Sequence, residues 1–335
     1  MLYVTTRNKS DVYTAYHALQ KNRCEDGGLY VPFQLPHFSK EEIDALRDKS
    51  FGQCVAEVLN LFFSARLDGW DVDFCVGRYP AKLVSMSHKI LVAETWHNPD
   101  WEFARMVRNL TGRIRGTEDT NNTPTSWAWI AIRIAVLFGL FSDAQRLGVA
   151  SSDKPIDVAV ATGDFTAPMA VWYARQMGLP VGKIICGSND NGTLWDLIHH
   201  GQLHTEGEAP SDLERLIFSA LGWEETQRYC EACVKGRIYT PAEEQLEKLS
   251  AGLFAGVVSH KRVESVICNV YSAGTYLLDP SSALAYGALQ DYRASTGEGR
   301  TALILTERSP VRSAEAVANT LGISQQELKD RIGMT

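Results

Sequence analysis

The chain lacks an apolar run long enough to cross a bilayer comfortably. Its strongest, Ser126 to Phe141 (SWAWIAIRIAVLFGLF), falls short of the about 20 residues a span needs and carries Arg133. A helix buried in a protein core is expected there. A signal-peptide h-region is missing too, since the opening MLYVTTRNKSD is too polar. Cysteines number seven, odd and scattered, which with no secretion signal predicts reduced thiols and a cytoplasmic protein. Cys230 and Cys233 form a C-x-x-C with no second pair at metal-ligand spacing, so two ordinary helix cysteines one turn apart are expected and no metal, a redox or metal protein using this pair being the alternative. Positive charge is in deficit. A net charge of −7 argues against nucleic acid or an anionic membrane as the main partner. No internal repeat is visible.

What remains is the composition of an ordinary soluble globular protein, 45% hydrophobic and 22% charged, and 335 residues hold one large or two modest domains. The organising stretch is Ile156 to Pro180 (IDVAVATGDFTAPMAVWYARQMGLP). Its apolar, partly β-branched start suits a strand buried on both faces, as in a parallel sheet. A turn at Thr162-Gly163-Asp164 follows, then a helix with apolar residues at helical spacing, closed by Gly178 and Pro180. Val181 to Cys186 is again strand-like. The result is a βαβ unit whose turn places backbone N–H groups at a helix start, a natural anion seat.

Around this unit, Tyr3 to Arg7 reads as a strand, Asp11 to Gln20 as a helix, and Ser39 to Glu42 as a capping-box helix start. Ala81 to Met86 and Lys89 to Ala93 are strand candidates, and Gly112 to Ser126 is a polar loop. His97, Asp100 and Glu102 suit acid–base chemistry, or Asp100 caps the helix that follows. Ser188-Asn189-Asp190-Asn191 forms a polar turn at a strand end, where open α/β sheets place ligands. His199 and His200 suit a helix C-terminus, Asp212 with Arg215 an i,i+3 pair, and Pro280 a helix N1 position. Thr301 to Thr306 is one more buried strand.

Several of these pieces, in order, resemble threonine synthase, a pyridoxal-phosphate family of the tryptophan-synthase-β fold type. Thr6-Arg7 and Gly27-Gly28-Leu29-Tyr30-Val31-Pro32 resemble its N-terminal signature, and Ser126-Trp127-Ala128-Trp129-Ile130 its Asn-Trp-Ala-Arg-Ile helix start. Ala161-Thr162-Gly163-Asp164-Phe165 resembles its Pro-Thr-Gly-Asn-Phe-Gly loop. Ser211-Asp212-Leu213-Glu214-Arg215 resembles Ser-Asn-Leu-Glu-Arg, and Asp279-Pro280-Ser281-Ser282-Ala283 resembles Asp-Pro-His-Thr-Ala. The resemblance implies an α/β fold: an open, mostly parallel sheet with helices on both faces, preceded by a small α+β segment at 1–78. The large domain would fill 79–335. Ligand-loop residues would be Thr162, Gly163, Asp164, Phe165, Thr166, Asn189, Asp190, Asn191 and Thr306.

The departures from the family pattern matter as much. Its Schiff-base lysine lies in Phe-His-Gly-Pro-Thr-x-Ala-Phe-Lys-Asp, and the matching run here, Trp96 to Arg105, puts Ala104 at the lysine position. A methyl group forms no imine. Only 58 positions separate Ala104 from Thr162, so the family's cofactor-covering small domain is expected to be deleted between about 105 and 125. Asp164 replaces an amide; its carboxylate would repel a phosphate and could cap the helix instead. The expectation is a degenerate threonine synthase-like protein that binds no pyridoxal phosphate covalently and does not convert O-phosphohomoserine to threonine. It would bind an amino acid or phosphorylated metabolite, or a partner protein or second copy through a surface near Trp96, Trp101 and Trp127, unless these tryptophans pack in the core. The alternative is an active lyase with a displaced lysine, for which Lys89 is the nearby candidate and His97 an acid–base one.

Overall fold

The computed structural model describes residues 1–8, 10–77, 81–96, 103–116, 126–163, 165–189, 192–205, 212–274 and 276–331. His97, Trp101, Asp164, Asp190 and Asn191 lie outside them.

The N-terminal part opens with strand β1 (Leu2–Thr5) between β2 (Tyr13–Thr14) and β3 (Tyr30–Pro32), a small antiparallel sheet. Pairing of Tyr13–Thr14 with β1 delays helix α1 to Ala15–Gln20, later than the expected start at Asp11. Helices α2 (Lys40–Ala45), α3 (Phe51–Phe63) and α4 (Gly69–Val76) follow. The α2 capping box is realised: Ser39 and Glu42 satisfy each other's backbone N–H groups.

The main sheet has the order β4-β5-β9-β6-β7-β8. Its strands are β4 (Lys82–Ser87), β5 (Ile90–Glu94), β6 (Ile156–Ala161), β7 (Val181–Ser188), β8 (Leu253–Val257) and β9 (Ala302–Thr306). The edge strand β4 is antiparallel to β5, and every other pairing is parallel. Period-two alternation fills both faces. Val158, Val160, Leu303 and Leu305 enter one core, while Ala159, Ala302 and Ile304 enter the other.

The first core is built around α6 (Trp127–Arg146). By length and composition this helix could cross a membrane, but 89% of its apolar window is buried inside the protein. It packs against α3 and α7 (Thr166–Gln176), and α5 (Phe103–Arg115) lies beside it. Trp127 Nε1 donates to Tyr3 Oη at 3.0 Å, which donates to the Phe62 carbonyl at 2.8 Å, so the N-terminal segment shares this core. Helices α8 (Thr193–His200), α9 (Leu213–Leu221), α10 (Trp223–Val234) and α11 (Glu243–Ser250) extend this side. The second core is made by α12 (His260–Ser272), α13 (Pro280–Thr296), α14 (Ala314–Leu321) and α15 (Gln325–Arg331). Helix α13 lies close on β7 because Gly187 has no side chain; a Cβ there would overlap the Leu284 carbonyl.

One local expectation is corrected. Helix α5 continues through Gly112 to Arg115, where a loop was expected, because Arg113 Nε donates to Asp71 at 2.8 Å and holds the last turn on α4. The N-cap position of helix α7 is Phe165, in a left-handed conformation (φ 68°); the capping role expected of Asp164 falls outside the described residues. Trp127 is fully buried and Trp96 is 6% exposed, so these two side chains pack in the interior, the alternative the sequence offered for them.

Candidate functional site

The carboxyl ends of β6 and β9 meet the N-terminus of α7 at a cavity of about 400 Å³. Open parallel sheets bind ligands at such strand ends. Its floor carries Thr162 and Gly163 from the β6–α7 turn and Ala167 from the first turn of α7. Gly163 has φ 47°, with open space where a Cβ would be, so backbone lies bare to the cavity. Thr162 is held by its neighbour strand, both its N–H (2.8 Å) and its Oγ1 (3.0 Å) donating to the Gly187 carbonyl. Phe165 and Thr166 are fully buried, and Thr166 Oγ1 donates to Asp212 at 2.6 Å. Asp212 in turn pairs with Arg215, both without exposure, and Arg215 Nε donates to the Tyr30 carbonyl at 3.1 Å. The first helical residue of α7 is thus fixed through α9 to the N-terminal segment.

A second wall is aromatic and basic. Arg133 of α6 lies over the rings of Phe103 (4.8 Å) and Trp129 (5.1 Å) and makes a paired contact with Glu307, Nη2 donating to Oε2 at 2.7 Å. Arg308 stands exposed at the edge of the cavity. Asp279 caps α13 through the Ser281 and Ser282 amides, and burial holds its carboxyl above the ordinary aspartate range. Thr306 accepts from Trp96 Nε1 at 3.3 Å and reaches Asp279 Oδ1 at 3.4 Å.

The structure therefore gathers Thr162, Gly163, Thr306 and Ala104 around one cavity, and Thr166 just behind it. Asn189 is elsewhere, lining a separate cavity of about 540 Å³ on the other side of the α13 start, with Pro280 and Val258. Lys89 is corrected as a cavity candidate. It sits in the β4–β5 turn, before Ile90, at the amino end of the parallel strands, and its Nζ donates to the Gly299 carbonyl at 3.0 Å. The cavity opens at the opposite end. Cys230 and Cys233 are free thiols on α10, and burial pushes both upward, Cys230 to about 12. No group of three or more metal-ligating side chains is found among the described residues.

Sequence reading missed Arg133, Trp129, Glu307 and Arg308 as site residues. One signal existed for Arg133: it is the lone charge in the apolar run of α6, and a charge buried there needs a partner.

Pyridoxal phosphate, the cofactor that the sequence resemblance implies, can be tested against these groups. Backbone at the α7 N-terminus and the Thr306 hydroxyl suit a phosphate and a ring nitrogen. The covalent anchor does not fit. Among the described lining residues there is no lysine, and Ala104 presents a methyl group.

Comparison with known proteins agrees with the geometry. Solved structures with this fold include the PLP-bound threonine synthase from Brucella melitensis (TM-score 0.83, 22% identity, covering 96% of this chain and 92% of that one). Threonine synthase from yeast matches at TM-score 0.81 and 17% identity, covering 96% of this chain and 90% of that one. The fold of this chain is the one these two threonine synthase structures share.

Residues 2–78 match the family model for the threonine synthase N terminus. Threonine synthase-like 1 of Homo sapiens is 25% identical over 185 residues, 51% of this chain and 25% of that protein. Threonine synthase of Corynebacterium glutamicum is 26% identical over 196 residues, 52% of this chain and 40% of that one. The match thus spans a quarter to two fifths of these relatives' length. The chain is thus similar to the threonine synthases, by sequence model in its N-terminal segment and by fold over 96% of its length.

Proposed function

We propose that this threonine synthase-like protein has lost the family's replacement chemistry and binds a small phosphorylated metabolite in the cavity at the α7 N-terminus. The observation that carries the reading is the pairing of a bare anion seat with a missing amine. Bare backbone at Gly163, helix-end N–H groups and the exposed Arg308 favour a phosphate. The Ala104 methyl and a lining without lysine, among the described residues, offer nothing to form an imine with an aldehyde. The reading extends to the cofactor-covering domain of the family. Only residues 116–126 join α5 to α6, too short a stretch for a domain. The protein would act in the cytoplasm.

A thermal-shift series with O-phosphoserine against serine tests the ligand class. A ligand at 100 times its Kd adds about 2.7 kcal/mol to stability, so a specific site raises Tm measurably. The phosphorylated compound is expected to raise Tm and serine is not. Equal shifts from both, or conversion of O-phosphohomoserine to threonine with added pyridoxal phosphate, would overturn the reading.

A further inference from the structure

A further cavity of about 630 Å³ opens beside the carboxyl end of β5, sharing no lining residue with the one above. Its wall includes Glu94, Trp96, Tyr271, Tyr276 and Arg331. Glu94 is only 6% exposed. Its carboxylate accepts from the Tyr276 hydroxyl at 2.5 Å and pairs with Lys82 Nζ at 3.0 Å. The Lys82 side chain is 58% exposed, so it is a solvated, weakly held counter-ion. A carboxylate has about four lone-pair sites, which leaves acceptor capacity on Glu94. The Tyr271 hydroxyl is buried without a hydrogen-bond partner among the described residues, which is costly unless a donor reaches it.

One guanidinium already uses this wall. Arg331 lies over the Tyr271 ring at 5.1 Å, and its ion pair with Glu327 is half exposed and local to α15. The ring face therefore accepts a guanidinium, and the side chain that supplies it is lightly tethered. Guanidinium is planar, weakly hydrated and donates from five N–H groups, which matches a carboxylate, a phenol oxygen and an aromatic face together. An anionic ligand would meet Glu94 instead.

We propose that this cavity binds a small organic cation bearing a guanidinium group, which replaces Arg331 on Tyr271 and donates hydrogen bonds to Glu94. The site is independent of the anion reading above. Titration calorimetry of the full chain with agmatine tests it, alongside butylamine. Saturable agmatine binding is expected, with butylamine weaker. Glu94→Gln is expected to weaken agmatine by about tenfold or more, the size of one charge-assisted hydrogen bond. Tyr271→Phe keeps the ring and should weaken binding less than Tyr271→Leu. Arg331→Ala removes the competitor and should tighten it, an effect that damage to the fold would not mimic. No agmatine binding to either the parent chain or Arg331→Ala, equal affinity for butylamine, or an unchanged affinity in a folded Glu94→Gln would each overturn the proposal.

Discussion

Replacing Asp212 by alanine isolates the network behind the candidate site. Asp212 and Arg215 have no exposed side-chain surface, and Asp212 also accepts from Thr166 Oγ1. Among the described residues Arg215 reaches one further acceptor, the Tyr30 carbonyl. Removing the carboxylate leaves a guanidinium in the interior without its counter-charge, a change that costs about 3–5 kcal/mol. Arg215→Met takes the guanidinium away from the buried Asp212 carboxylate and should cost a similar amount. The double variant Asp212→Leu with Arg215→Met removes both charges together, and it should fall short of the summed single losses by about 2–3 kcal/mol. Urea unfolding followed by circular dichroism reads these values as midpoint shifts at constant m. Because Thr166 begins α7, Asp212→Ala should also weaken O-phosphoserine in the thermal-shift series. Single variants that each cost under about 1 kcal/mol, or a strictly additive double, would refute the claim that one buried pair ties α7, α9 and the N-terminal segment together.

Other consequences are as direct. Gly187→Ala would push a methyl group into the Leu284 carbonyl, and a loss of about 1–3 kcal/mol in urea unfolding is expected from such overpacking. Burial raises the Asp279 carboxyl in the folded state, so its contribution to stability is present below the ordinary aspartate range and is lost as pH rises through the folded value. Asp279→Asn, which can still cap α13, should flatten the fall of stability with rising pH; an unchanged slope would exclude this role. Gly163→Val places a β-branched residue at φ 47°, and should weaken O-phosphoserine binding more than Arg308→Ala, measured by thermal shift.

The parallel strands were legible because burial on both faces leaves a run such as Ile156 to Ala161 with almost no polar residue. Strand β8 was not: Leu253–Val257 is short and includes Gly256, whose added Cβ would meet Ala288 Cβ at 2.9 Å. The glycine that hides the strand in the sequence is what lets α13 approach it. Within the site, the Thr162-Gly163 turn and Thr306 were readable as strand ends. The Arg133–Glu307 pair was not, since its partners are 174 positions apart and only the fold joins them. Asn189 was grouped with the wrong cavity because both strand ends looked alike, while the start of α13 at Pro280 separates the two spaces.

The central claim is an absent amine. Incubating the purified protein with pyridoxal phosphate, reducing with borohydride and mapping the modified peptides tests it most directly. The account predicts no stoichiometric adduct and no visible aldimine band that reduction removes. One lysine labelled to completion, with such a band lost together with that lysine's replacement by alanine, would contradict it.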